Sequence, residues 1–137
     1  MKKLLIGFVA VFVTLEVLDG IIHGGILMST YTAMQSTWRP DMMNKLWILH
    51  FVRIVTAFFF TYVFSKGYEG KGIMEGLRYG FYLGMIVSSG FAFGSYSMFA
   101  INKGLALQWF FYSLIEYLIA GVVVSLVFGK KEAAAKA

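Results

Sequence analysis

Ionisable side chains interrupt an apolar stretch near the start of the chain. Glu16, Asp19 and His23 follow one another at spacings of three and four residues, which places them on one face of a helix. An ionisable side chain at bilayer depth costs roughly 2.5–3.5 kcal/mol on insertion scales, so these three must face a protein interior, a cavity or one another. Carboxylates beside an imidazole can bind a cation or take up and release protons. The spacing therefore predicts a polar site inside a bundle of membrane helices.

Polar side chains recur at matching depths in the predicted spans, counted at about 1.5 Å per residue from the outer end of each span. The two histidines lie roughly 6–8 Å deep, an arginine and an aspartate roughly 11–14 Å, and two glutamates roughly 17–18 Å. On the fourth span, Gln108, Tyr112 and Glu116 share a helix face. Groups at one level of a bundle can meet, so these depths predict one site shared by three helices. Its candidate ligand-binding residues are Glu16, Asp19, His23, His50, Arg53, Tyr112 and Glu116.

The composition indicates which class of protein holds this site. Hydrophobic residues make up 59% and charged residues 14% of the 137 residues, whereas soluble domains have roughly 25% charged residues. A membrane span needs about 20 mainly apolar residues, and four candidates occur, at 4–28, 46–64, 73–98 and 105–128. These spans use most of the chain. We therefore predict an all-α, four-transmembrane-helix bundle in up-down-up-down order, forming a single domain over residues 1–131.

Lysine and arginine positions predict the orientation of the chain, because cytoplasmic loops carry the excess of these residues. With the N-terminus inside, seven of them flank the spans on the cytoplasmic side and three on the outer side. Both termini then lie in the cytoplasm, and the histidines lie toward the outer face. The net charge of +5 follows from this topology and implies no nucleic-acid partner. The cytoplasmic set is Lys2, Lys3, Lys66, Lys71, Arg78, Lys130 and Lys131, and the outer set is Arg39, Lys45 and Lys103.

Small residues in the third span predict close helix packing. They recur every fourth residue in two rows, and such rows let helix backbones approach each other in lipid. Two rows predict contact with two neighbouring helices. One neighbour is either a helix of the same chain or a second subunit of a homo-oligomer. The first row is Gly76, Gly80, Gly84 and Ser88, and the second is Gly90 and Gly94.

Two segments outside the spans have distinctive compositions. Residues 29–45 form the longest connection and carry Tyr31, Trp38 and Pro40. Tryptophan and tyrosine favour the headgroup level of a bilayer, so this connection is predicted to lie along the outer interface, as an anchor or as a lid over the polar site. Residues 132–137, EAAAKA, match a helical spacer repeat. We interpret them as an added tail and exclude them from functional reasoning.

Three segments carry a resemblance to known proteins: HGGIL at 23–27, WRP at 38–40 and KGYEGKGIMEGLRYG at 66–80. On these segments, and over nearly the whole chain, the sequence resembles a group of small, uncharacterised four-span bacterial inner-membrane proteins. The resemblance implies four spans and a bacterial inner membrane. It implies no activity, cofactor or catalytic residue.

Four interpretations of the polar residues remain open. The first is a structural network in which Arg53 neutralises acids and fixes helix packing, although one arginine with three carboxylates leaves an excess of acid. The second is a site, open toward the outer face, that binds or transports a cation, a proton or a small polar or lipid headgroup. The third is a haem or metal site, and the fourth is an accessory or assembly subunit whose glycine faces receive a larger partner. Enzymatic activity is not indicated, since no Gly-x-Ser-x-Gly motif is present.

The haem or metal alternative depends on the two histidines. They occur at one level on adjacent helices, as the axial ligands of haem b would, with Arg39 or Arg53 available for the propionates. A divalent metal would use nitrogen and oxygen ligands. The paired Glu-x-x-His motifs of di-iron bundles are absent, and no cysteine supplies a thiolate. The candidate metal ligands are His23, His50, Glu16, Asp19 and Glu116.

Overall fold

The computed structural model describes residues 1–135, with side chains described up to residue 129. Within this part of the chain every regular element is a helix. A π-helical segment, Ile22–Ile26, follows the first α-helix, and short 3₁₀ turns occupy Gln35–Thr37 and Met42–Lys45. The interpretation of residues 132–137 as a spacer falls outside the described side chains. The α-helices are α1 (Lys2–Ile21), α2 (Met28–Ala33), α3 (Leu46–Gly67), α4 (Ile73–Met98) and α5 (Lys103–Ala135).

Three helical segments are long and apolar enough to cross a membrane. They are Lys2–Ile26, Met42–Gly67 and Lys103–Gly129. The segment α4 is also long, at 26 residues, but it is not among them because glycine, serine and tyrosine replace aliphatic side chains along much of its length. Three of the four predicted spans are thus confirmed as candidate membrane helices. The span predicted at 73–98 is confirmed as a helix, and its crossing of the membrane stays a prediction.

Large apolar side chains cover the outside of the molecule. Leu5, Phe59, Ile86 and Phe111, one on each long helix, are all more than half exposed. Soluble monomers rarely expose contiguous apolar patches of this kind, and large ones mark surfaces that contact protein or membrane. The described surface is therefore compatible with a transmembrane helix bundle.

The long helices pack side by side in a definite pattern. α1 contacts both α3 and α5, and α4 contacts α5 along its length. α1 and α5 also contact each other near the start of α1, since Lys3 donates a hydrogen bond to the carbonyl of Phe128. α3 and α4 contact each other where the Tyr79 hydroxyl donates to the carbonyl of Phe60 at 2.6 Å. Elsewhere α3 and α4 have little contact, so the bundle is open on that side.

A five-residue turn, 68–72, reverses the chain between α3 and α4. Gly70 and Gly72 adopt φ values of 78° and 71°, in the left-handed region that favours glycine. Glu75, in the first turn of α4, accepts the backbone N–H of Glu69 at 2.6 Å and of Lys71 at 2.8 Å. The turn therefore starts α4 beside the end of α3, where the Tyr79 contact forms.

The first glycine row faces α5 of the same chain. A Cβ on Gly76 would overlap the backbone of Gly121, and a Cβ on Gly80 would overlap the backbone of Tyr117. Ser88 continues the row as a fully buried residue. Close approach of two backbones, as predicted from the spacing, thus occurs between α4 and α5. This row reaches its packing partner without a second subunit.

The second glycine pair is placed differently. A Cβ on Gly90 or Gly94 would meet no described atom within 4 Å. The expectation that each row contacts a neighbouring helix therefore holds for the first row and fails for this pair within the described chain. Gly7 on α1 belongs to no glycine row, yet it is closely packed. A Cβ on Gly7 would lie 2.8 Å from Cγ2 of Thr61 on α3.

Two apolar clusters fill the interior, and the polar residues lie between them. On α1, Asp19 falls between Leu15 of one cluster and Ile22 of the other, so the acid is bracketed by apolar packing. The terminal cluster, nearer the chain ends, consists of Val11, Leu15, Ala57, Phe60, Phe64, Tyr117, Ala120, Val124 and Phe128. The loop cluster, nearer residues 29–45, consists of Ile22, Leu27, Ala92, Ile101, Leu105, Ala106 and Trp109.

Candidate functional site

Arg53 of α3 holds two carboxylates of α1. Its Nη1 lies 2.9 Å from Oε2 of Glu16, and its Nη2 donates to Oδ2 of Asp19. The two acids are three residues apart on one helix face, so a single guanidinium fork reaches both, with charge-assisted hydrogen bonds. The Arg53 side chain is 13% exposed, which makes it the most buried member of the group. The meeting of Arg53 with Asp19, expected from their depths, is present in the structure.

Each histidine contacts a different carboxylate. Nδ1 of His50 lies 2.9 Å from Oε1 of Glu16, and Nε2 of His23 lies 3.6 Å from Oδ1 of Asp19. The two imidazoles are therefore held by separate acids of α1, whereas a bis-histidine haem would need both to point at one iron. Within the described residues, no three His, Asp or Glu side chains are grouped as metal ligands. The haem and metal interpretations gain no support from this arrangement.

A hydrogen-bonded chain continues from His23 toward the loop cluster. The hydroxyl of Tyr31 bonds Nδ1 of His23, and Nε1 of Trp109 donates to the same hydroxyl at 2.7 Å. Because an indole N–H only donates, the Tyr31 oxygen accepts from Trp109 and its own proton is directed to Nδ1 of His23. A neutral His23 then carries its proton on Nε2, which faces Asp19. Burial raises the pKa of Tyr31 to about 12, so the hydroxyl keeps its proton at neutral pH.

The π-helical segment positions His23 for these contacts. The sequence predicts one continuous helix over 4–28, but α1 ends at Ile21 and the backbone continues as a π-helix over Ile22–Ile26. A π turn contains more residues than an α turn and rotates the side chains that follow it, and such turns occur often at functional sites. Gly24 and Gly25 lie within it, and they are the sole signal in the sequence of an unusual backbone here.

Residues 29–45 cover the end of the polar site. Tyr31 and Trp38 turn inward, with Nε1 of Trp38 donating to the Tyr31 carbonyl at 3.0 Å and its ring 6.3 Å from the ring of Trp109. Trp47 instead is 65% exposed, as an interfacial anchor would be. Tyr31 and Trp38 therefore lie over the end of the site near His23, and the anchoring of this connection in the membrane interface stays a prediction.

Glu116 of α5 stands apart from the Arg53 pairs. Its side chain is buried, at 7% exposure, and its Oε1 has no hydrogen-bond partner among the described atoms. It lines a cleft of about 200 Å³ together with Asp19 and Arg53. The other residues that line the cleft are Leu15, Leu49, Val52, Thr56, Val87, Phe91, Ser113 and Tyr117.

The structure divides the seven predicted site residues into groups. Asp19, Arg53 and Glu116 meet at the cleft, whereas Glu16, His23 and His50 extend the ionic network along α1 and α3. Tyr112 instead packs against the loop cluster and is not among the residues that line the cleft, so its role as a ligand-binding residue stays a prediction.

The sequence interpretation also missed residues of the site. Ser113 and Thr56 line the cleft, and helical spacing of three from Glu116 and Arg53 could have identified them. Tyr31 could not be found in this way, because it lies outside the long helices and reaches His23 through the fold of the connection.

We expect Tyr31→Phe to destabilise the loop end of the bundle. The change removes the hydroxyl that joins His23 to Trp109, and two partly buried ring nitrogens lose their partner at a cost of about 1–3 kcal/mol. Thermal unfolding in detergent, followed by circular dichroism, measures the effect. Tyr82→Phe is the matched control, since Tyr82 is 62% exposed on α4. Equal melting temperatures for the two variants would contradict the proposed chain of hydrogen bonds.

No protein-family model, curated protein or solved structure matches this chain. Its resemblance to four-span bacterial membrane proteins therefore stays a sequence-based prediction.

Proposed function

We propose that this chain is a four-span inner-membrane protein whose polar cleft binds a small cationic group. One observation carries the proposal: Glu116 is buried, lines the cleft and has an oxygen without a hydrogen-bond partner among the described atoms. Buried polar groups are normally satisfied, so an unpaired one calls for an explanation such as a bound ligand. An intramembrane carboxyl is by default a candidate for a cation or proton site.

The balance of charges favours a positive ligand. Glu16 and Asp19 share the single guanidinium of Arg53, which leaves Glu116 without a cation of its own. A positive group in the cleft would neutralise that carboxylate, whereas an anion would add a further negative charge. Arg53 repels a nearby cation, so the favoured position for the ligand is on the Glu116 side of the cleft.

The topology is part of the same proposal. With 26 residues, α4 is about 39 Å long, which exceeds the roughly 30 Å core of a bilayer. It packs along α5, a candidate span, over its whole length. The lysine and arginine excess then places both termini in the cytoplasm. In this orientation the end of the polar site near His23 lies toward the outer face, in an up-down-up-down bundle of four spans.

The decisive variant is Glu116→Gln, tested with methylammonium as the probe. It keeps the side-chain shape and removes the charge, so we expect an equal or higher melting temperature than wild type without added cation. Methylammonium should raise the melting temperature of the wild type by mass action and leave that of E116Q unchanged. Thermal unfolding of the protein in phosphatidylcholine nanodiscs measures both quantities.

Glu69→Gln is the matched control for this experiment. Glu69 lies in the 68–72 turn, is 59% exposed and pairs with Lys71, so the same chemical change there should leave the methylammonium response intact. If E116Q unfolds as readily as Arg53→Ala, Glu116 belongs to a structural network and the proposal fails. The proposal also fails if methylammonium stabilises E116Q as much as wild type.

A further inference from the structure

The cleft opens sideways, between α3 and α4, onto the apolar outside of the bundle. These two helices have little contact except near the 68–72 turn. The walls of the cleft are apolar: Leu49 and Val52 lie on α3, and Val87 and Phe91 lie on α4. All four side chains are between 43% and 52% exposed. An amphiphile dissolved in the bilayer could therefore reach the cleft without passing through water.

The floor of the cleft is polar and acidic, in contrast to its walls. Asp19 and Glu116 supply carboxylates, and Arg53 is the one cation among the described lining residues. Glu116 is more than nine-tenths buried and presents its unpaired oxygen there. An apolar entrance above an acidic floor is complementary to a molecule with an apolar body and one positive charge.

We infer that the cleft binds a lipid-soluble monoamine that enters from the bilayer between α3 and α4. Its ammonium group bonds Glu116, and its apolar body lies between Val52 and Phe91. This inference rests on the proposed function and deepens it, because it names the chemical class of the ligand and its route of entry.

A phospholipid headgroup fits the same cleft less well. Glu116 lies between three and four turns into α5, which begins at Lys103, and this distance along the helix is about 20 Å. A phosphatidylethanolamine ammonium at that depth would draw its phosphate into the cleft as well. Arg53, which could neutralise the phosphate, is already paired with two carboxylates. A monoamine brings no anion with it.

Octylamine is a suitable probe, with octanol as its uncharged match. Both are titrated calorimetrically into the protein in phosphatidylcholine nanodiscs, and titrations into empty nanodiscs are subtracted to remove partitioning into lipid. We expect saturable binding of octylamine and only partitioning of octanol. Glu116→Gln should weaken octylamine binding about tenfold or more, since it removes a charge-assisted hydrogen bond. Equal binding of the two probes would overturn the inference.

The route of entry is tested with two tryptophan substitutions on α4. Val87→Trp narrows the mouth of the cleft, whereas Ile86→Trp places the same ring at a neighbouring position that is 68% exposed and outside the lining. We expect V87W to lose octylamine binding and I86W to keep it. V87W should retain the methylammonium response, because the floor is unchanged. Equal octylamine affinities for V87W and I86W would overturn entry between α3 and α4.

The outcomes separate this inference from the proposed function. If octylamine fails to bind while methylammonium still stabilises the wild type and not E116Q, the monoamine assignment is wrong and cation binding stands. If neither probe has an effect that depends on Glu116, the proposed function fails as well. The octylamine titration is repeated in nanodiscs that contain phosphatidylethanolamine. Strong competition by this lipid would assign the cleft to a lipid headgroup and overturn the inference, whereas an unchanged octylamine affinity would support the monoamine assignment.

Discussion

Arg53→Ala should destabilise the protein more than any other single change in the polar site. The side chain is 13% exposed and pairs with both Glu16 and Asp19. Removing it leaves two carboxylates without their guanidinium, and breaking a buried ion pair from one side costs roughly 3–5 kcal/mol. We expect the lower part of this range, since the acids are about one quarter exposed. Thermal or denaturant unfolding in detergent measures the loss.

The same substitution at a surface position is the control. Arg39 pairs with Asp41 outside the helices, and both side chains are largely exposed, so Arg39→Ala should change stability little. Adding Asp19→Asn to Arg53→Ala should recover part of the loss, because one uncompensated carboxylate is removed. If R53A and R39A unfold alike, the ionic network does not stabilise the bundle.

Gly80→Leu should separate α4 from α5. A Cβ on Gly80 would overlap the carbonyl of Tyr117 and lie 3.2 Å from Cα of Leu118. These are backbone atoms, so no side-chain rotation relieves the overlap, and the helices must move apart. Overpacking costs typically about 1–3 kcal/mol, and we expect at least the upper end because the whole helix contact is involved. Melting temperature and elution volume in size-exclusion chromatography measure the effect.

Gly90→Leu is the matched control on the same helix. A Cβ on Gly90 would meet no described atom within 4 Å, so the variant should melt close to wild type and gain slightly from the better helix propensity of leucine. A G80L protein that melts and elutes like G90L would show that α4 does not pack on α5 through the glycine row.

The acids of the site are expected to differ in role because their partners differ. Glu16 and Asp19 have a guanidinium within hydrogen-bond distance, whereas Glu116 Oε1 has no partner in the described part of the chain. Loss of charge should therefore weaken folding at the first two positions and weaken binding at Glu116. The contrast between Arg53→Ala and Glu116→Gln measures this difference within one protein.

The long helices and the depths of their polar groups could be predicted from local sequence patterns. Apolar runs of span length predicted the long helices, and α4 begins and ends at Ile73 and Met98, as expected from 73–98. A spacing of three placed Glu16 and Asp19 on one face of α1, and depth counting placed Arg53 beside Asp19. These features follow from local geometry, because rise per residue and residues per turn are constant within an α-helix.

Which helix faces meet could not be predicted from these patterns. Periodicity defines a glycine row, but it does not indicate that Gly80 packs against α5 while a Cβ on Gly90 would meet no described atom within 4 Å. The contact between Tyr31 and His23 depends on a π-helical turn and on a connection that folds back. The cleft exists because α3 packs on α1 and α4 packs on α5, so that α3 and α4 have little contact beyond the 68–72 turn. Such long-range contacts depend on the arrangement of the whole bundle, and no local pattern in the sequence records them.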